Sequence, residues 1–539
     1  MSPSIIKKIL FVFLFAVAIT VGIFIGIASK NYPFGVNIDN VLNLIRGQPN
    51  KVDRILGLVK NKYVDAVEID SLEDLAVTQI LGRLDPHTVY LPPTDALQQK
   101  ESLEGNFEGI GIEYFVLNDT ILVTNVRQYS PAETAGLQKG DKIVAVNGEI
   151  FKPNTLTAGL VVDKLRGKKG SIVKVNILRG AGTINNLEII RGKILVSSID
   201  AAYIINNNTG FIKVSKFGTN TEDDFVQELQ KMEALGIKNL ILDLRGNGGG
   251  YLDAAIELTD QFLPKDKLIV YTKGLHQPNT YYKATDLGLF ETGKIAVLVD
   301  EGTASASEIV AGALQDWDRG LIIGRRSFGK GLVQQQFEFN DGSAINLTIA
   351  RYYTPSGRCI QKSYKNGLKT YKNEITQRFN KGEITSLDSN LADTSLFSPK
   401  SKFKTASGKN VYSGGGIMPD VFIPLDTTKH IFFYDAAIKQ QLISNFVYSK
   451  LIHQTQIGKY PTVIDFINNY QVSQLQYQQF ITYCSSSKVN TTQTECEKAK
   501  PFITKSLKAI LIKYYYGNEG YYKYVNNDDA FVQAALQKM

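Results

Sequence analysis

Two parts of this chain repeat one arrangement, in which a short apolar run is followed by a loop of small residues and then by a helical pattern. Residues 238–244 form the first run, and four glycines separate it from helical spacing over residues 252–262. Residues 295–300 form the second run, ahead of a helical pattern over about residues 305–317. Runs this short are typical of buried strands in a parallel sheet. Residues 198–426 are therefore predicted to form an α/β core with functional loops at the carboxyl ends of its strands.

A smaller β-rich domain is predicted ahead of this core, over residues 106–197. Short runs of β-branched and apolar residues predict strands at residues 121–123, 142–146 and 173–178. Asn147 and Gly148 follow one of these strands, and both residue types tolerate positive φ. A hairpin turn is therefore expected at this pair.

The regions on either side of these two domains have a helical pattern. Residues 31–105 show apolar residues at three- and four-residue spacing until a proline-rich segment, residues 84–93, breaks the pattern. Residues 427–539 are rich in Tyr, Gln and Lys and are predicted to form an α-helical domain. No motif in that C-terminal region indicates its role.

The N-terminus indicates the cellular compartment. Residues 9–29 are 21 residues without a charge, preceded by Lys7 and Lys8 and followed by Lys30. A helix of this length spans a hydrocarbon core of about 30 Å. Residues 1–30 are interpreted as a signal anchor in the inner membrane, with a cleaved signal peptide as the alternative. Either interpretation places the remaining chain in the cell envelope, facing or free in the periplasm.

Composition argues against nucleic-acid binding. The chain has 539 residues, is 43% hydrophobic and carries a formal net charge of only +8, which suits two or three folded domains. The densest basic excess lies at residues 361–410, where ten Lys or Arg face four Asp or Glu. That segment has few aromatics and many small polar residues, so a solvated loop is favoured over a nucleic-acid patch.

The cysteines and histidines do not suggest a metal site. Cys484 and Cys496 could form a disulfide and leave Cys359 unpaired, but an odd number of cysteines requires no bridge. Neither cysteine spacing nor the four scattered histidines fit zinc coordination. No metal and no cofactor are expected.

The loop after residue 244 reads RGNGGG and offers exposed backbone N–H groups near the start of a helix. Such groups can stabilise an anion. The loop lacks the Lys-Ser/Thr ending of a P-loop and the spaced glycines of a dinucleotide fingerprint. The alternative is a tight turn that serves packing alone.

Ser305 lies in a turn of small residues at the start of the second predicted helix. A hydroxyl there sits where the helix dipole favours developing negative charge. The alternative is an ordinary N-cap, in which Ser305 and Glu308 form a capping box.

Lys330 lies between two glycines and apolar stretches, which is unusual for a solvated charge, although a surface lysine is the more common case. If residues 330–334 form a strand, alternation places Lys330 and Gln334 on one face. A neutral lysine can act as a general base if burial lowers its pKa, and no acidic partner is expected beside it. A Ser-His-Asp arrangement would need a histidine such as His276 or His430, but neither lies in a motif.

Taken together, these segments resemble the carboxyl-terminal processing peptidases, also called tail-specific proteases. The residues that carry the resemblance are SASEI at 305–309, FGKG at 328–331 and a glutamine at 334. Further similar segments at residues 84–87, 350–358 and 415–420 extend it over about 340 residues. Gly246 and Thr303 depart from the commoner family residues. The resemblance implies that Ser305 is the nucleophile, Lys330 the general base and Gln334 its orienting partner, with the oxyanion hole at the N–H groups of Gly250 and Ala306.

The inserted β domain is similar to a PDZ module over residues 130–137, 140–143 and 146–148. The resemblance implies that a carboxylate-binding loop and adjoining strand run through Gly109, Ile110, Gly111 and Ile112. Arg166 matches a family arginine that links the PDZ domain to the catalytic core. An exposed arginine at a helix end is the alternative.

The resemblance implies a multidomain serine endopeptidase of the envelope: an N-terminal membrane helix, a helical segment, a PDZ domain, a mixed-sheet peptidase core and a C-terminal helical region. Its partners would be proteins or peptides with free C-termini and the membrane, without nucleic acid; the oligomeric state stays open, a homo-oligomer included. The alternatives are a catalytically inactive PDZ scaffold on a peptidase fold and, more distantly, a phosphate-binding α/β enzyme.

Overall fold

The computed structural model describes residues 17, 19–20, 50–152, 155–385, 401–489 and 491–539. The chain forms two compact units, Met1–Ile80 and Leu81–Met539. The segment interpreted as a membrane anchor, residues 1–30, lies almost wholly outside the described residues. Among the residues that are described, no helix has the length and apolar composition needed to cross a membrane.

The described part of the predicted helical segment, residues 50–105, contains three helices and one strand. They are α1 (Lys51–Lys62), α2 (Ile69–Leu81), β1 (Val89–Leu91) and α3 (Pro93–Leu103). Asn50 begins α1, because its side chain accepts hydrogen bonds from the N–H groups of Val52 and Asp53. Pro93 occupies the first position of α3, where its missing N–H has no cost.

The described residues of the inserted β domain form a six-stranded antiparallel sheet, a separate two-stranded sheet and two short helices. Its elements are β2 (Asn106–Gly109), β3 (Ile112–Leu117), β4 (Thr120–Val126), α4 (Pro131–Thr134), β5 (Lys142–Val146), β6 (Glu149–Ile150), α5 (Ala158–Leu165), β7 (Ile172–Arg179), β8 (Gly182–Ile190) and β9 (Gly192–Leu195). The strand order is β3-β4-β5-β7-β8, with β6 beside β5, so β3 is an edge strand; β2 and β9 pair separately. Asn147 and Gly148 have φ of 51° and 79°, which confirms the predicted turn.

The described residues of the α/β core form two large sheets and a separate two-stranded one. Its elements are β10 (Ile199–Asn206), β11 (Thr209–Val214), α6 (Thr221–Glu233), β12 (Asn239–Asp243), α7 (Leu252–Asp260), β13 (Leu268–Gly274), β14 (Gln277–Lys283), β15 (Lys294–Val299), α8 (Ala306–Asp316), β16 (Leu321–Gly324), β17 (Leu332–Glu338), β18 (Ala344–Tyr353), α9 (Leu368–Lys372), α10 (Glu374–Asn380), β19 (Lys402–Lys404), β20 (Asn410–Tyr412) and β21 (Val421–Phe422). The first sheet has the order β10-β11-β12-β15-β16-β21 and is parallel except for β10. The mixed sheet is therefore confirmed.

The second sheet of the core is antiparallel and was not predicted. It has the order β1-β18-β13-β14, and β17 pairs with β18 along its other edge. Helix α8 is buried over its whole length, and its apolar residues belong to one hydrophobic core with Tyr352 of β18 and Val297 of β15. A helix surrounded on all sides in this way holds its N-terminus in a fixed position.

The C-terminal region is helical, as predicted. Its helices are α11 (Phe432–Lys439), α12 (Leu442–Phe446), α13 (Ile452–Gln454), α14 (Val463–Asn469), α15 (Gln474–Ser486), α16 (Gln493–Val525) and α17 (Ala530–Lys538), with a π-helical turn at Val447–Leu451 and 3₁₀ turns at Thr427–Lys429, Ile457–Lys459 and Asn526–Asp528. All three cysteines of the chain are free thiols, and Cys484 and Cys496 are buried in the same hydrophobic cluster.

The C-terminal region packs against both of the other domains. On one side, Leu117 and Leu122 of the β domain join its hydrophobic cluster, and the ring of Phe115 lies 4.7 Å from that of Tyr448. On the other side, Phe531 and its neighbours on α17 share a cluster with the first sheet of the core. The region is therefore part of the folded protein and not an independent appendage.

An acidic residue placed on the side of α17 that faces the sheet should destabilise the folded protein. Val532 is fully buried there. We expect Val532→Asp to lower the free energy of unfolding by about 3 kcal/mol or more, because a carboxylate would lose its water without gaining a partner. Gln537→Asp, at an exposed position of the same helix, is the control and should change it by about 0.5 kcal/mol or less. Urea unfolding of both variants measures the difference, and equal stability would show that α17 does not pack here.

Candidate active site

Ser305 lies in the turn between β15 and α8 with φ 57° and ψ −116°. An N-cap residue ordinarily has an extended backbone with negative φ, so Ser305 is not in ordinary N-cap geometry. Left-handed backbone at a non-glycine residue costs about 1–3 kcal/mol and is concentrated at functional sites. The surroundings hold it there: its N–H donates to the Glu308 carboxylate (2.9 Å) and its carbonyl accepts from the Tyr352 hydroxyl (3.1 Å).

The glycine loop, residues 245–250, lies directly beside this serine. Gly249 and Gly250 have φ of 100° and 151°, and both require the absence of a side chain. A Cβ at Gly249 would lie 2.8 Å from the Cβ of Ser305, and one at Gly250 would lie 1.9 Å from the Phe217 carbonyl oxygen. The loop is thus packed closely against the serine and against Phe217, in the segment that follows β11.

Two backbone N–H groups beside Ser305 have no acceptor. They belong to Gly250 and to Ala306, the first residue of α8. In the described part of the chain, neither donates a hydrogen bond to another residue. Both residues line the same cavity as Ser305. The pair predicted as an oxyanion hole is therefore available for an external anion.

Lys330 and Gln334 line the same cavity, but they do not lie on one face of a strand as the sequence suggested. Strand β17 begins at Leu332, so Lys330 precedes it, and the register shifts between Val333 and Gln334. The expected strand alternation is wrong. Gln334 donates to the Thr348 hydroxyl (3.3 Å). No hydrogen bond from Gln334 to the Lys330 amine is present among the residues described.

Burial lowers the pKa of Lys330, while the negative charges of Glu308 and Asp85 oppose that effect. The expectation that no acidic group lies nearby is therefore wrong. Lys330 is partly buried, so its net shift still favours the neutral amine. Lys330 lines the same cavity as Ser305, and a lysine that acts as a general base needs its pKa lowered in this way.

Glu308 is a buried carboxylate that is hydrogen-bonded both to Ser305 and to the backbone around Lys330. Its carboxylate accepts hydrogen bonds from the N–H groups of Ser305 (2.9 Å), Gly329 (2.7 Å) and Lys330 (2.8 Å), and from the Ser327 hydroxyl. Burial raises the pKa of Glu308, and these four donors oppose the rise. Glu308 is the N3 position of a capping motif, and it also connects the serine turn, residues 300–305, to the lysine loop, residues 325–331.

The histidine at the cavity is His87, which the sequence analysis did not single out. Its ring Nε2 lies 2.7 Å from the Tyr371 hydroxyl, and its backbone N–H donates to the Asp85 carboxylate (2.8 Å). Burial and the nearby Lys330 lower the pKa of His87 from 6.5 to about 4, so the imidazole is neutral near pH 7. His276 and His430 are exposed and do not line the cavity. The signal for His87 was available, because Asp85-Pro86-His87 lies in a segment that carried the resemblance.

The cavity has a volume of about 590 Å³. Apart from Lys330 and His87, its lining has no acidic or basic side chain. It is formed by Pro86, Val89, Gln99, Ser102, Leu103, Gly248, Gly249, Gly250, Tyr251, Leu252, Ser305, Ala306, Ile309, Leu332, Val333, Gln334, Gln336, Asn346 and Tyr352. It therefore suits an uncharged stretch of peptide. The described residues contain no cluster of His, Cys, Asp and Glu that could hold a metal ion.

The residues predicted to bind a carboxylate lie together at the start of strand β3. Gly109 ends β2, Ile110 is buried and Ile112 begins β3. Gly111 has φ 83°, and a Cβ there would lie 2.5 Å from the Cβ of Ser130. Because β3 is an edge strand, its outer edge can pair with an added peptide strand.

Arg166 connects the β domain to the cavity. Its guanidinium pairs with Glu101 on α3 (2.6 Å) and lies over the Phe107 ring (4.3 Å). Helix α3 also contributes Gln99, Ser102 and Leu103 to the cavity lining. Arg166 does lie at the end of α5, with 36% of its side chain exposed, but its guanidinium is paired with Glu101.

Comparison with known proteins agrees with this geometry. Residues 208–370 match the model of peptidase family S41, residues 109–189 match the PDZ domain, and residues 433–517 match a family of unknown function (DUF8443). The probable CtpA-like serine protease of Staphylococcus saprophyticus is 32% identical over 344 residues, which are 63% of this chain and 68% of that protein. The chain belongs to the carboxy-terminal processing proteases of family S41.

Other members of this family give similar matches. The carboxy-terminal processing protease CtpB of Bacillus subtilis is 36% identical over 58% of this chain and 65% of its own length. A Staphylococcus aureus probable CtpA-like serine protease is 34% identical over 60% of this chain and 64% of its own length. The chain thus spans slightly less than two thirds of these two relatives. Among solved structures, the photosystem II D1 C-terminal processing protease is 28% identical, with coverage of 58% and 84% and a TM-score of 0.33.

Proposed function

We propose that this carboxy-terminal processing protease is a serine endopeptidase in which Ser305 is the nucleophile, Lys330 the general base and Gln334 a supporting hydrogen-bond partner. One observation carries the proposal: a single cavity brings together a serine in strained backbone geometry, a partly buried lysine with a lowered pKa, and two N–H groups that have no acceptor among the described residues. Neither Ser305 nor Lys330 can perform the reaction alone.

The reaction follows from these groups. The neutral Lys330 amine takes the Ser305 proton as Oγ attacks the peptide carbonyl, and the N–H groups of Gly250 and Ala306 stabilise the oxyanion. The lysine ammonium then gives its proton to the departing amine, which leaves an ester on Ser305. Water, deprotonated by the same lysine, hydrolyses that ester and restores both groups.

The alternative of an inactive PDZ scaffold differs in one measurable property. A fluorophosphonate probe reacts with a serine only when a base and an oxyanion hole activate it. Labelling that is present in the full chain and absent from Ser305→Ala supports the peptidase, whereas an unlabelled full chain supports the scaffold.

We further propose that the PDZ domain selects substrates by their free C-termini. The support is the edge strand β3, the loop at Gly109–Ile112 positions and the Arg166–Glu101 pair, which joins this domain to a helix of the cavity. A terminal carboxylate would accept hydrogen bonds from the loop while the peptide pairs with β3.

A peptide substrate with an amidated C-terminus should be cleaved more slowly than its free acid. We expect kcat/KM to fall about tenfold or more, because charge-assisted hydrogen bonds to the carboxylate are lost. Cleavage rates of the matched pair of peptides measure the effect. As a control, Gly111→Leu should bring the free acid down to the rate of the amide, since its side chain would meet Ser130. Equal turnover of both peptides by the wild-type chain would exclude carboxylate recognition.

The compartment is also proposed. The support is the uncharged segment at residues 9–29 with its preceding lysines, which favours export with a retained anchor or a cleaved leader. Fractionation into membrane, periplasmic and cytoplasmic protein distinguishes these outcomes, and a cytoplasmic product would contradict both.

A further inference from the structure

Arg245, in the glycine loop, contacts two carboxylates from distant parts of the chain. On one side its Nε and Nη2 donate to Asp243 at 3.0 and 2.6 Å. On the other side its Nη1 donates to both carboxylate oxygens of Asp529, at 3.0 and 2.9 Å. Asp529 belongs to the C-terminal region, 284 positions further along the chain. A contact of this kind holds the guanidinium in one orientation.

Asp529 is itself fixed in place. It is the N-cap of α17, and its Oδ1 accepts hydrogen bonds from the N–H groups of Phe531 (3.0 Å) and Val532 (3.1 Å). Phe531 and Val532 are buried against the first sheet of the core, and the Phe531 ring lies 4.7 Å from the Arg245 guanidinium. The helix therefore presents the carboxylate to the loop from a rigid base.

The charges around Arg245 balance. Lys213 donates to Asp243 (3.2 Å) and to the Arg245 carbonyl, so two cations face two carboxylates. Asp243 is almost fully buried, with 1% of its side chain exposed, and Arg245 has 17% exposed. Without the Asp529 charge, the cluster would carry one net positive charge that little solvent can screen.

From Arg245 the loop leads directly to the oxyanion hole. The Asn247 carbonyl accepts hydrogen bonds from the Ala304 N–H (3.0 Å) and the Ser307 hydroxyl (2.9 Å), and its side chain accepts from the Gly249 N–H (2.9 Å). A displacement at Arg245 is thus passed to Gly250 and to the serine turn through a chain of short contacts.

We propose that Asp529 is a positioning residue of the peptidase. It holds Arg245, and through Arg245 it holds the glycine loop in the geometry that aims the Gly250 N–H at the oxyanion. This inference rests on the proposed function. It gives the C-terminal region a role in catalysis, whereas the family that matches residues 433–517 has no known function. The pair acts on the transition state, because the oxyanion exists only there.

Asp529→Asn tests the proposal, since asparagine keeps an oxygen for the helix cap and removes the charge. We expect kcat for a peptide to fall about tenfold or more with KM little changed, because small displacements of an oxyanion donor slow the chemical step. The adjacent Asp528→Asn is the matched control: Asp528 pairs with Lys505, and its loss should leave kcat unchanged. Thermal unfolding of both variants separates effects on folding from effects on the reaction.

A double variant establishes the route. If Asp529 acts through Arg245, then Arg245→Gln with Asp529→Asn loses no more kcat than Arg245→Gln alone. If the double variant instead loses the product of the two single-variant losses in kcat, the proposal is wrong. It is also wrong if the kcat of Asp529→Asn stays within about twofold of wild type, or if the substitution changes only KM. If peptide cleavage does not depend on Ser305, both the proposed function and this inference are wrong. Ser305-dependent cleavage with a normal Asp529→Asn overturns only the inference.

Discussion

Ser305→Ala is expected to reduce peptide cleavage by roughly 10⁴-fold or more while the protein stays folded. The substitution removes one hydroxyl from a cavity wall, and alanine adopts the same backbone with no new clash. Its N–H can still donate to Glu308, so the connection between the serine turn and the lysine loop persists. Cleavage of a peptide substrate and thermal unfolding, measured on the same preparation, check both parts of the expectation.

Ser307→Ala is the matched control, two positions along the same helix. Its hydroxyl is buried and donates to the Asn247 carbonyl (2.9 Å), which also accepts from the Ala304 N–H. One of two hydrogen bonds to that carbonyl is lost, at a cost of about 1 kcal/mol in stability, and substantial activity should remain. Normal cleavage by both variants would show that the nucleophile lies elsewhere.

Local patterns were sufficient for most of the core and for the loops at its edge. The apolar runs at residues 238–244 and 295–300 are strands β12 and β15, and each is followed by the predicted helix. Their carboxyl ends meet because neighbouring parallel strands end at one edge of a sheet. That alone brings the glycine loop beside Ser305, which is why these two parts of the site could be predicted together.

The position of Lys330 could not be derived in the same way. It precedes its strand, and what holds it is the carboxylate of Glu308, to which the backbone of the lysine loop donates twice. In sequence, Glu308 has the spacing of a capping box, and the local pattern gives no sign of a second set of partners 21 and 22 positions away. Hydrogen bonds between distant loops depend on the assembled fold.

The same limit applies to Asp529 and His87. Asp529 begins an ordinary short helix in sequence, and its contact with Arg245 exists only because α17 packs on the core sheet. His87 follows a proline in a segment without periodic structure, and β1 then carries that segment into the second sheet beside β18. Sequence periodicity reports which face of an element is buried, not which distant element buries it.

Lys330→Arg is expected to be nearly inactive, with a loss comparable to that of Lys330→Ala. A general base at this position must release its proton at working pH, and arginine stays protonated in proteins. The positive charge is retained in the arginine variant and removed in the alanine variant, so equal losses would show that proton transfer, not charge, is needed. Gln334→Ala should be milder, because its amide is bonded to Thr348 and only lines the cavity.

The pH profile of the wild-type chain gives an independent check of the same base. Burial lowers the pKa of Lys330, so the active neutral form is populated as pH rises through that pKa, and kcat/KM should rise along the same limb. His87 is already neutral above its pKa of about 4, and a limb near pH 7 or above cannot come from it. His87→Gln is therefore expected to keep the limb at the same pH. An active Lys330→Arg enzyme, or a limb that moves when His87 is replaced, would assign the base to another group.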